Sequence, residues 1–260
     1  SAEKSVIENS VIVKIPIRYI ATFYKQVGYS FADDQQRYER LPFIYSTLGD
    51  CESNFVDVDT LIFFGKRNSY KGFDIFTTVV RKIIATGRDI SRILLIGPRC
   101  DDMIECNSFF DEIATCGISV EEYSLKRREA LELIVANAPR SICLIPYKAD
   151  NHPYSVLEII NSCCPIIVTC NGGMPELVPS LYSKDVICPA DADLIVDCFD
   201  RWKMRSPVER RLFTENLRNA AVNDQSIING TLYPNLMDTY EEWRVNTKEM
   251  CNLNDRGVTC

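Results

Sequence analysis

From residue 57 onward the chain reads as a doubly wound α/β domain built on a parallel sheet. Two observations predict it. Short, continuously apolar runs recur at Leu61–Phe64, Ile93–Ile96, Ile142–Ile145, Ile166–Thr169 and Val186–Cys188, as expected of strands buried on both faces. Between them lie longer stretches with helical apolar periodicity, and strands alternating with helices imply βαβ units. A 260-residue chain with 46% hydrophobic and 25% charged residues has ample material for such a core.

The first predicted helix covers residues 71–86. Phe73, Phe76, Val80, Ile83 and Ile84 share one face, and Gly87 is placed to end it. Further helices are expected at about 102–115, 124–137, 154–163, 191–202, 207–221 and 232–246. Residues 1–56 differ in character and are expected to form a separate N-terminal appendage. There VIVKIPIRY alternates Val11, Val13, Ile15 and Ile17 with Lys14 and Arg18, a strand pattern with one wet face, and Pro16 suits an edge. Asp33–Arg40 is polar and compatible with a helix. The domain is expected over 57–246, with a tail over 247–260.

Net charge −7 and a pI near 5.0 argue against a nucleic-acid partner. No apolar run approaches the roughly 18 residues of a membrane span, and the opening residues do not read as a signal peptide. The chain begins Ser-Ala without Met, as a piece of a longer parent with further domains would. Twelve cysteines are scattered without a CxxC pair, several inside apolar runs, such as Cys143 in SICLIP and Cys188 in DVICP. They are read as reduced, buried small hydrophobes in a cytoplasmic protein rather than as a disulfide scaffold. A zinc site is disfavoured because His152 is the sole histidine. No metal and no cofactor are expected.

Ligands of a doubly wound sheet bind at the carboxyl ends of its strands, and three loops there carry chemistry. Gly65-Lys66-Arg67-Asn68-Ser69-Tyr70-Lys71-Gly72 places three cations before a helix start, where the free N–H groups and dipole already favour anions. The same loop alone also reads as a solvated basic turn. Pro146-Tyr147-Lys148-Ala149-Asp150-Asn151-His152-Pro153-Tyr154-Ser155-Val156-Leu157-Glu158 has Pro153 suited to a first helical turn. Asp150 then lies in the loop and Glu158 about one turn into the helix, so both carboxylates can border one pocket and one can hold a ribose. A helix cap and a first-turn dipole partner are their ordinary alternatives. Asn171-Gly172-Gly173-Met174-Pro175-Glu176 follows the strand PIIVT. Its paired glycines allow close approach of backbone to a ligand, or a plain turn.

In order and spacing, GKRNSYKG, PYKADNHPYSVLE and GGMPELV together resemble the C-terminal domain of the retaining GT-B glycosyltransferases of family 4, the group 1 transferases. That family shows G-R-x4-K-G after a strand, a P-S-x-x-E-N-x-P-x-x-x-x-E run, then a strand and G-G-x-P-E. RILLIGPRCDD, VEEYSLKRREALELIVANAPRSICLIPY and ERRLFTENLRNAAV resemble its intervening and closing segments. The resemblance covers about residues 57–246. It implies the Rossmann-like donor-binding half of a GT-B enzyme, transferring a sugar with retention from a UDP- or GDP-linked donor to a hydroxyl on a glycan or glycoconjugate. Lys71 matches the lysine that binds the donor diphosphate. Lys66 stands at the usual arginine, with Arg67 beside it as a substitute. Asp150 stands where the first glutamate binds the donor sugar, and Glu158 matches the second, which binds the ribose. Lys71, Asp150 and Lys66 are thus the expected catalytic residues. Gly65, Asn151, His152, Pro153, Tyr154, Ser155, Gly172 and Gly173 complete the expected donor site.

The departures are as informative. Lysine at 66 gives up bidentate phosphate geometry, aspartate at 150 shortens the reach, Tyr147 replaces a serine, and Cys100 and Asp101 interrupt the glycine-rich turn. Residues 1–56 are too short for an acceptor domain of about 100 residues. These departures motivate a second reading, a nucleotide-sugar-binding module that no longer transfers. A glycoside hydrolase using Asp150 and Glu158 fits poorly with the flanking cations. A dinucleotide fold is set aside because GPRCDD lacks G-x-G-x-x-G. His152 is a candidate general base or a plain loop imidazole.

Overall fold

A computed structural model of the chain describes residues 54–99, 104–150 and 153–227, with the side chains of 104–108 and 225–227 excepted. The elements expected over residues 1–53, at 232–246 and over 247–260 lie outside the described residues.

Six parallel strands form one sheet in the order β3-β2-β1-β4-β5-β6: β1 Thr60–Phe64, β2 Arg92–Ile96, β3 Ser119–Tyr123, β4 Ser141–Ile145, β5 Ile166–Thr169 and β6 Ile187–Cys188. The helices are α1 Phe73–Ala85, α2 Ile104–Thr115, α3 Arg127–Asn137, α4 Tyr154–Asn161, the single-turn α5 Ser183–Val186, α6 Ala192–Met204 and α7 Pro207–Ile227. The predicted Rossmann-like α/β architecture is the observed one. Strand β1 pairs with β2 on one side (Leu61 opposite Ile93) and with β4 on the other (Leu61 opposite Ile142). The chain therefore reverses its direction of sheet growth between β1 and β4. Their carboxyl ends border the switch point, where this topology opens a crevice.

The interior is apolar on both sheet faces. Ile62, Phe63, Ile93, Leu94, Leu95, Ile142 and Ile145 are all sealed from solvent. Phe63 of β1 meets the rings of Phe73 and Phe76 edge-on at 5.1 and 5.2 Å. Phe73 in turn meets Phe109 at 6.2 Å. Because Phe73 is the first residue of α1, this aromatic cluster pins the helix start, and the loop before it, onto the end of β1. Helix α6 packs on α1, and α7 on α4. Where α6 meets α7, Trp202 and Phe213 stand edge-on at 4.9 Å and the Arg205 guanidinium lies 4.6 Å from each ring.

Three expectations are corrected. The edge strand β3 has no counterpart in the sequence reading, and α3 begins at Arg127, later than the expected 124. SVEEY carries no buried residue, so the apolar signal of an inner strand is missing. Its carboxylates serve cross-strand pairing instead: Glu121 takes both ends of the Arg92 guanidinium, at 2.5 and 2.8 Å. The cysteine expectation holds for Cys143, Cys164, Cys188 and Cys198, which are free and buried; Cys116 and Cys170 are free but exposed, and it fails at Cys163, which is disulfide-bonded. Among the described residues, no helix is long and apolar enough to cross a membrane.

The Arg92 guanidinium, helped by the Tyr123 hydroxyl, holds the Glu121 carboxyl down to about 2 from an ordinary 4.5. A depressed folded-state value contributes stability above the unfolded value that is lost as pH falls toward the folded one. The melting-temperature advantage of wild type over Glu121→Gln is therefore constant above about pH 4.5 and shrinks between there and pH 2. Paired thermal melts across that interval test it, and a constant difference would refute the assignment.

Candidate functional site

The loop after β1 leaves the sheet in an ordered way. Gly65 N–H donates to Ile96 O (2.9 Å) and Arg67 N–H to Pro98 O (3.1 Å), extending the β1–β2 pairing beyond the strands. Asn68 then closes a turn: its side-chain oxygen accepts from Lys71 N–H at 2.8 Å and its carbonyl from Phe73 N–H at 3.1 Å. Gly72 caps α1 in the left-handed region, at φ 68. A Cβ there would stand 1.8 Å from Pro146 O, so only glycine lets this loop lie against the loop after β4. Lys148 N–H donates to Tyr70 O (3.2 Å), and the Lys148 ammonium pairs with Asp74 at 2.6 Å.

Lys71 and Asp150, 79 residues apart, meet as an ion pair in this clasp. Both side chains retain about a fifth to a quarter of their exposure, 24% and 22%. The Lys71 ammonium also lies 4.2 Å from the centre of the Tyr147 ring. The loop after β5 joins at the same residue. Gly173 N–H donates to Asp150 O at 2.8 Å. Gly172, at φ +59, passes so close that a Cβ would stand 2.3 Å from that carbonyl.

Glu158 sits one turn into α4, 7% exposed, and pairs with Arg127 of α3 at 2.5 Å. Tyr147, 2% exposed, links the two halves of the site. Its hydroxyl donates to Phe64 O at 2.7 Å and hydrogen-bonds Ser155. Burial pushes its phenol well above the ordinary tyrosine range, and the charges of Asp150 and Glu158 both add to the rise. Tyr147 was legible in the sequence only as an odd residue at a serine position.

The remaining expected residues fall as follows. Lys66 is exposed, Pro153 caps α4, and Tyr154 opens that helix. Arg67, the expected substitute for the usual arginine, is engaged within the fold. It is 3% exposed, and its guanidinium is taken by Glu122 and by Gly97 O at 3.2 Å, facing the β2–β3 side. Asn151 and His152 lie outside the described residues. Among the described residues, no group of three or more His, Cys, Asp or Glu side chains is gathered to hold a metal ion.

No protein-family model and no curated protein matches the sequence. Solved structures do match. The C-terminal domain of a glycosyl transferase group 1 family protein (LpcC) from Francisella tularensis superposes with TM-score 0.56 and 15% identity, over 69% of this chain and 96% of that domain. Sucrose-phosphate synthase from Thermosynechococcus elongatus gives TM-score 0.53 and 15% identity, over 76% of this chain. The apo structure of OtsA gives 0.50 and 11%. The chain shares their fold. It spans nearly all of the first domain but only 49% and 46% of the latter two chains.

Gly172→Ala is expected to destabilise the domain more than Gly87→Ala. Both positions have positive φ, but an added Cβ at Gly87 meets nothing within 4 Å. Gly87→Ala bears only the left-handed penalty of about 1–2 kcal/mol, whereas Gly172→Ala must also push the Asp150 carbonyl away. Thermal melts should show the larger drop for Gly172→Ala, and equal drops would mean that the β5 loop is not clamped on Asp150.

Proposed function

We propose that the chain is the donor-binding half of a glycosyltransferase that moves a sugar from a UDP- or GDP-linked donor to a hydroxyl of a glycan or glycoconjugate, with retention and without a metal. The observation that carries this reading is the meeting of Lys71 and Asp150 over Tyr147 at the switch point of the sheet, with Glu158 one turn into the helix that follows. The fold shared with group 1 glycosyl transferase domains supports it. In this reading the protein works in the cytoplasm, in glycan biosynthesis, with its acceptor region in further chain.

The hard step is the departure of a diphosphate as negative charge grows on it. A fixed cation aimed at that charge is the largest catalytic contribution available here. The Lys71 ammonium supplies it, with the exposed Lys66 and the amide groups at the start of α4 beside it. Donor binding then exchanges partners. Lys71 gives up the Asp150 carboxylate for phosphate oxygens, and Asp150 turns to hydroxyls of the donor sugar. Glu158 accepts from the ribose hydroxyls.

Two predictions test the assignment by calorimetric titration with UDP and GDP. Lys71→Ala and Glu158→Ala should each lose about 1.5–3 kcal/mol of affinity, ten- to a hundredfold, as for hydrogen bonds to charged groups. Unchanged affinity in both variants would remove the site. Asp150→Asn releases Lys71 from a part-exposed pair worth about 0.2–1 kcal/mol. It should tighten UDP or GDP up to about fivefold while weakening the corresponding nucleotide sugar relative to it. Weaker binding of the bare diphosphate would contradict the exchange.

The commitment of Arg67 to Glu122 leaves the β1 loop one phosphate cation short, which favours a second reading: a nucleotide-sugar-binding module without turnover. Transfer or hydrolysis of a radiolabelled donor by the parent chain decides between the two.

A further inference from the structure

Glu158 is a buried carboxylate, and such a group is costly to desolvate unless a cation faces it. The cation comes from an unusual place. Arg127 is the first residue of α3, between Lys126 and Arg128. Three successive cations crowd a helix end whose dipole favours anions. Local compensation is slight: the Glu129 carboxylate accepts from Lys126 N–H at 3.1 Å, and Arg128 pairs along the helix with Glu132. Arg127 alone among the three leaves its own helix, reaching across to α4 with its Nε 2.5 Å from a Glu158 oxygen. A local rule is broken here for the sake of a contact at the candidate site.

We propose that Arg127 is a positioning residue for donor recognition, holding the Glu158 carboxylate in the orientation that accepts the ribose hydroxyls. The inference rests on the ribose-binding reading of Glu158. It brings the β3–α3 connection into the site as a fourth loop, one that no motif of the sequence marks. Arg127 need not touch the donor.

The test compares a ribonucleotide with its 2′-deoxy counterpart, because a residue acting through Glu158 changes the ratio of the two affinities, whereas a residue needed only for packing changes both alike. Titration of wild type should show UDP or GDP binding about tenfold or more tighter than the 2′-deoxynucleotide, the scale of a hydrogen bond to a charged group. Arg127→Gln should bring the ratio near one, as should Glu158→Gln, while pyrophosphate affinity stays at the wild-type value. Arg127→Lys, which keeps the charge, should retain most of the discrimination. Arg127→Gln removes the cation facing a buried carboxylate, so Arg127→Gln/Glu158→Gln, lacking both charges, is measured beside it. Its ratio should equal that of Glu158→Gln alone, since the two residues act as one unit.

A wild-type ratio preserved in Arg127→Gln, or in the double variant, would overturn the proposal. A wild type that binds both sugars equally overturns it through the ribose role of Glu158. A wild type that binds neither UDP nor GDP removes the proposed function itself.

Discussion

Asp150 is held twice. Its carboxylate faces the Lys71 ammonium from the β1 loop, and its carbonyl accepts the Gly173 amide from the β5 loop. Loops after β1, β4 and β5 are therefore joined through one residue at the place where the sheet reverses direction. The fold alone brings the three loop ends to one edge, but it does not fix their mutual geometry. That is done by this residue and by two glycines, Gly72 and Gly172, whose missing side chains let backbone meet backbone. A ligand that drew the Asp150 carboxylate toward itself would act on all three loops at once.

The strands were legible because inner parallel strands are apolar on both faces, and the helices because their apolar faces recur with helical period. The β1 loop and the acidic run after β4 were legible as chemistry because charge and glycine sit where a doubly wound sheet binds ligands. What escaped was whatever depends on a partner distant in sequence. SVEEY has no apolar face, since its carboxylates answer Arg92 and Arg67. Lys66 and Arg67 read alike in the sequence, yet one is exposed and the other is drawn inward by Glu122, 55 residues away. Tyr147 read as a substitution and is the buried wall that the site is built on. Arg127 carried a signal that could have been used: three cations opening a helix have no local reason to be there.

The charges around the site come in matched pairs. Lys71 faces Asp150, Lys148 faces Asp74, Arg67 faces Glu122 and Arg127 faces Glu158. A cluster of bare cations would attract phosphate of any kind, and would repel itself when empty. Pairing gives up part of that attraction. It makes the gain on binding depend on whether the ligand offers both an anion for Lys71 and hydroxyls for Asp150, since only then are both members of the pair satisfied again.

The two pairs nearest Tyr147 differ in a way that suits different tasks. Lys71 and Asp150 are each about a quarter exposed, so their attraction is screened and the pair is easily opened by a competing anion. Glu158 is nearly buried, and opening its pair with Arg127 would take the facing cation from a carboxylate that solvent hardly reaches. The first pair is built to exchange and the second to persist. A diphosphate whose charge changes during transfer belongs beside the pair that can move, and a nucleoside that serves as a fixed handle belongs beside the one that cannot.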